Sequence, residues 1–246
     1  MVAPPDNDVL WARGLHHMYG ATAALTGVSL GVREGEILAV TGPRGSGKTT
    51  LLKCLSGQLL PTEGEIWFNS APVHTLSSPS RERLRLDRFG WIDTEPHLVP
   101  ELTAWENAAL PLLLRGTGHR AAKDTAIEWL ERLDVGMCAR HRPARLDQSQ
   151  RQRVAVARAL AAAPRVLFAD EPTAPLHSAD GTQVLRTLAA AARSHDITVV
   201  LTTYEPQVAA LADRTIALFD GRRSGAVPET AGTSDKESRA ACSLSV

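Results

Sequence analysis

The chain has 246 residues, 43% of them hydrophobic, and its 27 lysines and arginines balance its 27 aspartates and glutamates. This length allows one large or two small domains with a hydrophobic core. Zero net charge disfavours direct binding to nucleic acid or to an anionic membrane surface. No apolar run approaches the roughly 18 residues of a membrane span, and no basic segment at the start resembles a secretion signal, so any membrane function must involve a partner chain. Three scattered cysteines, Cys54, Cys138 and Cys242, predict free thiols in a reducing cytosol, without a disulfide or a zinc site.

The amino-terminal part of the chain has the alternating pattern of half-buried β-strands. Residues 9–41 alternate between apolar and polar side chains, with turns at Gly20 and at residues 33–35, which predicts a small antiparallel layer. Residues 36–41, at the end of this segment, form a short apolar run that predicts a buried strand, and residues 50–55 predict a helix. A glycine-rich loop joins this strand to this helix.

The loop reads Gly-Pro-Arg-Gly-Ser-Gly-Lys-Thr and fits the phosphate-binding pattern G-x-x-x-x-G-K-[ST] at every fixed position. Its glycines let the backbone N–H groups converge on a β-phosphate, and the N-terminus of the next helix attracts the anion. Lys48 is predicted to reach the β- and γ-phosphates, and the Thr49 hydroxyl to ligate Mg²⁺. The sequence therefore predicts a nucleoside triphosphate site, whose loop residues are Gly42, Pro43, Arg44, Gly45, Ser46, Gly47, Lys48, Thr49 and Thr50.

The remainder of the chain divides into three segments. From residue 104 to 133, apolar side chains recur at helical spacing around a Gly-Thr-Gly breaker, which predicts a helical insertion. From residue 150 to 219, helix and strand patterns alternate, with strands expected at 166–169, 198–201 and 215–219, as in a mostly parallel sheet. Residues 224–246 are rich in small and polar residues and predict a disordered tail. We therefore expect one domain over residues 1–223, with a helical subdomain at about 94–149.

Two carboxylates end one of these predicted strands. Asp170 and Glu171 directly follow the apolar run at 166–169, and ligands of open α/β sheets bind at the carboxyl ends of strands. A strand can also end in a charged turn without any function. Together with the phosphate-binding loop, however, the pair indicates that Asp170 joins the Mg²⁺ shell and that Glu171 polarises the attacking water.

Four blocks in this order resemble the ATPase subunit of an ABC transporter, closest to the macrolide-exporter and lipoprotein-release subgroup, over roughly residues 8–223. They are TGPRGSGKTTLL at 41–52, HLVPELTAWEN at 97–107, QRQRVAVARAL at 150–160 and ADEPT at 169–173. The resemblance implies an α/β P-loop NTPase of ABC type, with a mostly parallel sheet core, a small antiparallel β layer and an α-helical subdomain. It implies ATP and Mg²⁺ as ligands, and Tyr19 as the aromatic that stacks on adenine, although a tyrosine at a strand end can also simply pack locally.

The sequence departs from the family at the signature motif. Two ABC subunits pair head to tail, so that the Leu-Ser-Gly-Gly-Gln signature of one completes the ATP site of the other; here the motif reads Leu-Asp-Gln-Ser-Gln at 146–150. Asp147 brings a carboxylate towards the γ-phosphate. Two unit charges about 4 Å apart repel by roughly 4 kcal/mol at an effective dielectric near 20, which outweighs a lost hydrogen bond of about 1 kcal/mol. We therefore expect this half of the dimer to complete a partner's site poorly.

Three further motif positions differ. The Q-loop glutamine, which senses Mg²⁺, is replaced by Thr94, and the switch histidine by Tyr204. A phenol can donate to the γ-phosphate but does not change charge near neutral pH as imidazole does. The aspartate of the D-loop, which couples the two sites, is replaced by His177. Neutral drift in a working ATPase is one explanation of these changes; the other is that nucleotide binding is retained while coupling is altered.

The sequence thus predicts an ATP-binding subunit of an export or extraction system, peripheral on the inner face of the plasma membrane through a separate permease, with weak ATPase activity of its own. Its working form is a homodimer or a heterodimer with a second ABC ATPase. An ABC-type regulator that controls a membrane partner without transport is the alternative. The nucleic-acid ATPases of repair or translation are disfavoured, because a coiled-coil insertion, a basic patch and a duplicated domain are missing. We also expect Leu102, Trp105 and Leu110 to offer an apolar groove to a permease helix, although Trp105 is equally compatible with a core position.

Overall fold

The computed structural model describes residues 8–176 and 178–224. The predicted tail, except Ser224, lies outside the described residues, as do His177 and Cys242. The strands are β1 (Asp8–Tyr19), β2 (Thr22–Arg33), β3 (Ile37–Thr41), β4 (Glu63–Phe68), β5 (Ala71–Pro72), β6 (Phe89–Ile92), β7 (Val166–Asp170), β8 (Thr198–Thr203), β9 (Arg214–Phe219) and β10 (Arg222–Arg223).

The α-helices lie between these strands. They are α1 (Lys48–Leu55), α2 (Ser78–Arg88), α3 (Ala104–Leu114), α4 (His119–Arg132), α5 (Gln148–Ala161), α6 (Ser178–Ser194) and α7 (Pro206–Ala209), and two short 3-10 helices cover Gly136–Cys138 and Pro143–Arg145. The predicted helical insertion is confirmed as α3 and α4, which the Gly116 segment separates. None of the helices that the model describes is both long and apolar enough to cross a membrane.

The strands form two sheets. One is an antiparallel layer in the order β2-β1-β4-β5, and the other has the order β10-β9-β3-β8-β7-β6 and is parallel except for the β9/β10 pair. The three strands predicted after residue 160 are confirmed to within two residues. The predicted antiparallel layer, however, ends at Arg33: residues 37–41 pair in parallel with β8 and β9, and β4 and β5 complete the layer instead.

The central strands β3, β7 and β8 are buried on both faces, which explains why they are mostly apolar without alternation. In β3, Leu38 and Val40 pack into a core shared with α1 and the antiparallel layer. Ile37 and Ala39 face the opposite core, which is built from α3 to α6. The phosphate-binding loop and the carboxylates of β7 therefore extend from strands that are held from both sides.

Candidate nucleotide-binding site

Three adjacent parallel strands end at the predicted site. Thr41 at the end of β3 is paired with Thr203 of β8, and Thr202 of β8 is paired with Asp170 of β7. Because β8 lies between β3 and β7, the loop after β3 and the carboxylates at the end of β7 meet at one edge of the sheet. This is the edge at which open α/β sheets bind ligands.

Two glycines of the loop have no room for a side chain. Gly42 has φ +148° and Gly47 has φ +97°, both in the region that favours glycine. A Cβ at Gly42 would lie 2.2 Å from the Leu218 carbonyl oxygen, and one at Gly47 would lie 2.3 Å from that of Ala24. The loop backbone is thereby packed closely against its neighbours, in a curl that α1 continues.

The charged and polar groups of the loop suit a phosphate. The Lys48 ammonium is buried and donates at 2.9 Å to the carbonyl oxygens of both Gly42 and Pro43, with the Glu171 carboxylate 3.5 Å away. Among the described residues, the Ser46 hydroxyl is buried without a hydrogen-bond partner. A buried hydroxyl without a partner in the described part of the chain, and a cation bonded there to two main-chain oxygens beside one carboxylate, both fit an anionic ligand in the loop.

The predicted metal ligands are brought together. The Thr49 hydroxyl donates to one carboxylate oxygen of Asp170 at 2.7 Å, and the Thr202 hydroxyl donates to the other at 2.6 Å. Thr94 donates to the Asp170 carbonyl oxygen at 3.0 Å. Hydroxyl and carboxylate oxygens are the donors that a hard cation such as Mg²⁺ prefers, so this group of side chains fits the ion.

Glu171, the first residue after β7, lies beside this group. Its φ of +44° is left-handed, a conformation that a non-glycine residue adopts at a cost and that is concentrated at functional sites. Its N–H donates to the Thr202 hydroxyl at 2.9 Å. Thr202 therefore orients both acidic residues, a role that the sequence analysis missed, because a threonine at a strand end carries no motif signal.

A cavity of about 520 Å³ joins these groups. It is lined by Thr94, Glu171 and Ala174, by Tyr19, Thr22, Ala23 and Ala24 of the β1/β2 turn, and by Arg44, Gly45, Gly47, Lys48, Thr49 and Thr50 of the loop and α1. Tyr19 is half exposed, and its ring meets that of His17 edge to face with centroids 4.8 Å apart. An exposed aromatic side chain at one end of a phosphate cavity suits stacking on a nucleotide base, and the volume is within the usual range of ligand sites.

Comparison with known proteins agrees with this geometry. The ABC transporter family model matches residues 25–174. The chain is 39% identical over 217 residues to the lipoprotein-releasing system ATP-binding protein LolD 2 of Caulobacter vibrioides, covering 87% of this chain and 95% of that protein. It is also 39% identical over 198 residues to the ABC transporter ATP-binding protein YbbA of Escherichia coli, covering 80% of this chain and 87% of YbbA.

This chain belongs to the ABC transporter family. It is an ATPase cassette of that family, the ATP-binding subunit, and the α/β P-loop fold expected from the sequence is confirmed. The dimeric ATP-binding cassette MJ0796, in a post-hydrolysis state bound to ADP and phosphate, superimposes with a TM-score of 0.84 at 33% identity, over 87% of this chain and 96% of that one.

The signature segment of this cassette lies at the start of α5, apart from the cavity. The Asp147 carboxylate accepts from the Gln150 N–H at 2.8 Å, and the Gln150 side chain accepts from the Asp147 N–H at 3.1 Å, so that the two residues form a capping box. Ser149 donates at 3.1 Å to Asp180 of α6, which also pairs with Arg153 at 2.6 Å. The substituted positions are thus built into the cassette's own helix termini.

Two further positions of the cassette, one predicted and one not, have distinct surroundings. Tyr204 directly follows β8, is nearly half exposed, and lies under the guanidinium of Arg44, 5.8 Å from the ring centroid. It is not among the residues that line the cavity. Gln152 of α5, which the sequence analysis did not single out, is fully buried and donates to the carbonyl oxygens of Asp93 and Pro172. It thereby ties the segment before Thr94 to the segment after Glu171.

Proposed function

We propose that this cassette binds Mg-ATP and powers or gates export or extraction through a separate membrane permease, with weak hydrolysis of its own. The observation that carries the proposal is the 2.7 Å contact between Thr49 and Asp170, with Lys48 and Glu171 beside it at the edge of one cavity. The name of the relative LolD 2, a lipoprotein-releasing protein, supports extraction of a membrane-bound substrate. Through the permease, the chain would lie on the cytoplasmic face of the plasma membrane.

In this proposal the loop Gly42–Thr50 holds the phosphates with its backbone N–H groups, and Tyr19 stacks on the adenine. Lys48 exchanges its two carbonyl partners for phosphate oxygens, which are stronger acceptors because they are charged. The first test is calorimetric titration with Mg-ATP. Absence of binding would overturn the assignment at its base.

Thr49 and Asp170 would hold the Mg²⁺ ion, with Thr94 at the margin of its shell, and the ion would neutralise charge that develops on the phosphates. Thr94 already donates to the Asp170 carbonyl oxygen, so its oxygen can still accept or ligate. Glu171 orients and polarises the water that attacks the γ-phosphate, and the Tyr204 hydroxyl donates to that phosphate. Titration of ATP with and without Mg²⁺ measures the contribution of the ion.

Weak hydrolysis follows from the environment of Asp147. A helix N-terminus attracts an anion through its unpaired N–H groups, but in α5 the Asp147 carboxylate already occupies that position. A partner's γ-phosphate approaching α5 would meet a fixed negative charge. In a homodimer both sites would have this defect, whereas a heterodimer with an intact partner signature would retain one complete site on this chain's own loop.

A second cavity supports the permease contact. It has a volume of about 410 Å³ and is lined mainly by apolar side chains, including Phe89, Trp91, Leu110, Pro111 and Leu114, with Arg85 and Arg158 among its polar residues. Of the three residues expected to form a groove, only Leu110 lines this cavity; Trp105 is half-buried against the core of α3 to α6. An amphipathic helix with an acidic residue would suit such a groove.

The contact can be tested with a matched pair of variants. Leu114 is 62% exposed at this cavity, and Met137 is 89% exposed outside it. We expect Leu114→Asp to abolish copurification with the membrane permease and Met137→Asp to leave it intact, because only the first introduces a charge into an apolar contact. ATP affinity should be unchanged in both variants. If both variants copurified with the permease equally well, the permease contact would lie outside this cavity.

A regulator that controls a membrane partner without transport is the second candidate, because Asp147 and Tyr204 both alter positions that serve closure rather than binding. The two functions differ in one measurement. In liposomes with the permease, a transporter subunit hydrolyses ATP faster when the transported substrate is present, whereas a regulator changes the partner's conformation on ATP binding without substrate-stimulated turnover.

A further inference from the structure

Arg44 and Tyr204 form a pair that the family motifs do not account for. The Arg44 guanidinium carbon lies 5.8 Å from the centroid of the Tyr204 ring, within the range of a cation–π contact. Both side chains are exposed. The family motifs predict a phosphate contact from neither residue type. Arg44 occupies a variable position of the loop pattern, and Tyr204 replaces the switch histidine.

The sheet register places this pair beside the start of the phosphate loop and near Glu171. Thr41 pairs with Thr203, so Tyr204 and Gly42, the residues that follow this pair, leave the two strands at the same height along the sheet. Asp170 pairs with Thr202, so Glu171 is level with Thr203. Tyr204 therefore follows the strand that lies between the phosphate loop and the residue that would polarise the attacking water. A guanidinium over its ring therefore lies near the sheet edge at which the phosphate loop and Glu171 meet.

The two cations of the loop differ in their surroundings. Lys48 is buried, bonded to two carbonyl oxygens and 3.5 Å from Glu171. Arg44 is one of the residues that line the same cavity, but within the described residues its guanidinium forms no hydrogen bond or ion pair with a side chain or backbone oxygen. A planar guanidinium can donate two parallel hydrogen bonds to a phosphate, with higher directional specificity than an ammonium.

We propose that the Arg44 guanidinium binds the γ-phosphate and that the Tyr204 ring is the positioning surface that holds it there. The pair would make this cassette discriminate ATP from ADP with a cation of its own chain. The inference rests on the proposed binding of ATP, and it assigns the preference for the triphosphate to a side chain outside the fixed positions of the loop.

The test measures affinity for Mg-ADP and for the Mg²⁺ complex of a non-hydrolysable ATP analogue, in the full chain, by calorimetry. We expect Arg44→Gln to weaken binding of the analogue about tenfold and binding of ADP less than twofold, since only the analogue has a γ-phosphate. Arg120→Gln, an exposed arginine of α4 outside the cavity, is the matched control and should change neither.

The role of the ring is isolated from that of the hydroxyl by repeating Arg44→Gln in two backgrounds. In Tyr204→Phe, which keeps the ring, Arg44→Gln should still cost about tenfold. In Tyr204→Leu, which removes it, the additional cost should fall below twofold, because coupled residues are not additive. Thermal melting verifies that all variants fold.

Three results would overturn the inference while leaving ATP binding intact: a loss for Arg44→Gln that is equal for the analogue and ADP, no loss for either, or an undiminished tenfold loss in the Tyr204→Leu background. If the wild-type chain binds neither nucleotide, the proposed function itself fails, and the two failures are thus distinguishable.

Discussion

The phosphate-binding edge and the signature edge of this cassette use polar side chains in opposite ways. At the phosphate loop, Lys48 is held by main-chain oxygens, and the Ser46 hydroxyl is buried with no partner in the described ranges 8–176 and 178–224. At the start of α5, Asp147 and Gln150 satisfy each other, and Ser149 is bonded to Asp180. The polar groups of the phosphate loop can therefore bind an external anion, whereas Asp147, Ser149 and Gln150 already form hydrogen bonds within the chain.

This difference shows how a substitution in a functional motif can be structurally favourable. An aspartate is among the best residues for the N-cap of a helix, so Asp147 stabilises α5 while it removes an anion site from the same helix terminus. An aspartate at position 147 is therefore compatible with a stable fold. We therefore expect binding of nucleotide by this chain and completion of a partner's site to be separable properties.

The largest effect is expected at the phosphate loop. Lys48→Ala should weaken Mg-ATP binding by an order of magnitude or more, because a buried charge partner of the phosphates is lost. Lys53→Ala, a change on the same helix outside the lining of the cavity, is the control and should bind normally. If calorimetry gave equal affinities for Lys48→Ala and the wild type, the phosphate loop would not be the site that binds ATP.

The next effect concerns α5. Asp147→Ala should lower the free energy of unfolding by about 1 kcal/mol, because the helix loses its N-cap acceptor, while Asp147→Ser should lower it by less than half of that. Neither should alter the chain's own ATP affinity, since Asp147 does not line its cavity. Urea unfolding measures the first expectation and calorimetry the second. If Asp147→Ala had the same free energy of unfolding as the wild type, the Asp147 cap would not stabilise α5.

The smallest effect is a pH-dependent one at α3, whose Thr103 and Glu106 form a second capping box. Hydrogen bonds from Thr103 hold the pKa of Glu106 below its ordinary 4.5. The stabilisation that comes with a lowered pKa is fully present above the ordinary value and is lost as the pH falls through the lowered pKa of the folded state. Thr103→Ala should therefore lower the free energy of unfolding by about 1 kcal/mol at pH 7, and by less once the pH falls below the lowered pKa of Glu106, because the hydroxyl-to-carboxylate bond weakens when the carboxylate is protonated. A difference from the wild type that did not shrink with acidification would contradict this.

The sequence predicted most of what a motif or a periodic pattern can encode. The loop at 42–49, the carboxylates at 170 and 171, and the strands after residue 160 all gave strong local signals, because buried parallel strands are apolar runs and a phosphate loop needs glycines at fixed positions. Helix α2 gave none: it has no buried residue, so it lacks an apolar stripe, and its start is marked only by the Ser77 cap and the proline that follows.

Other features depend on contacts between distant segments. The alternating pattern groups residues 37–41 with the antiparallel layer, because alternation does not show which sheet a strand joins. Only the pairing of these residues with β8 and β9 shows that they belong to the parallel sheet. Thr202 orients Asp170 and Glu171 from a strand 31 residues further along the chain. The pairing of Arg44 with Tyr204 likewise exists only once β3 and β8 are adjacent.

Restoration of the signature motif tests the central claim most directly. The triple variant Asp147→Ser, Gln148→Gly, Ser149→Gly should hydrolyse ATP at least tenfold faster than the wild-type chain, measured as phosphate release at saturating Mg-ATP, with ATP affinity unchanged. The added Glu171→Gln should abolish the gain, because it removes the carboxylate that we propose polarises the attacking water. The account is contradicted if the wild type already turns over at roughly the 10 s⁻¹ typical of enzymes, or if the restored chain, shown by melting to be folded, is no faster.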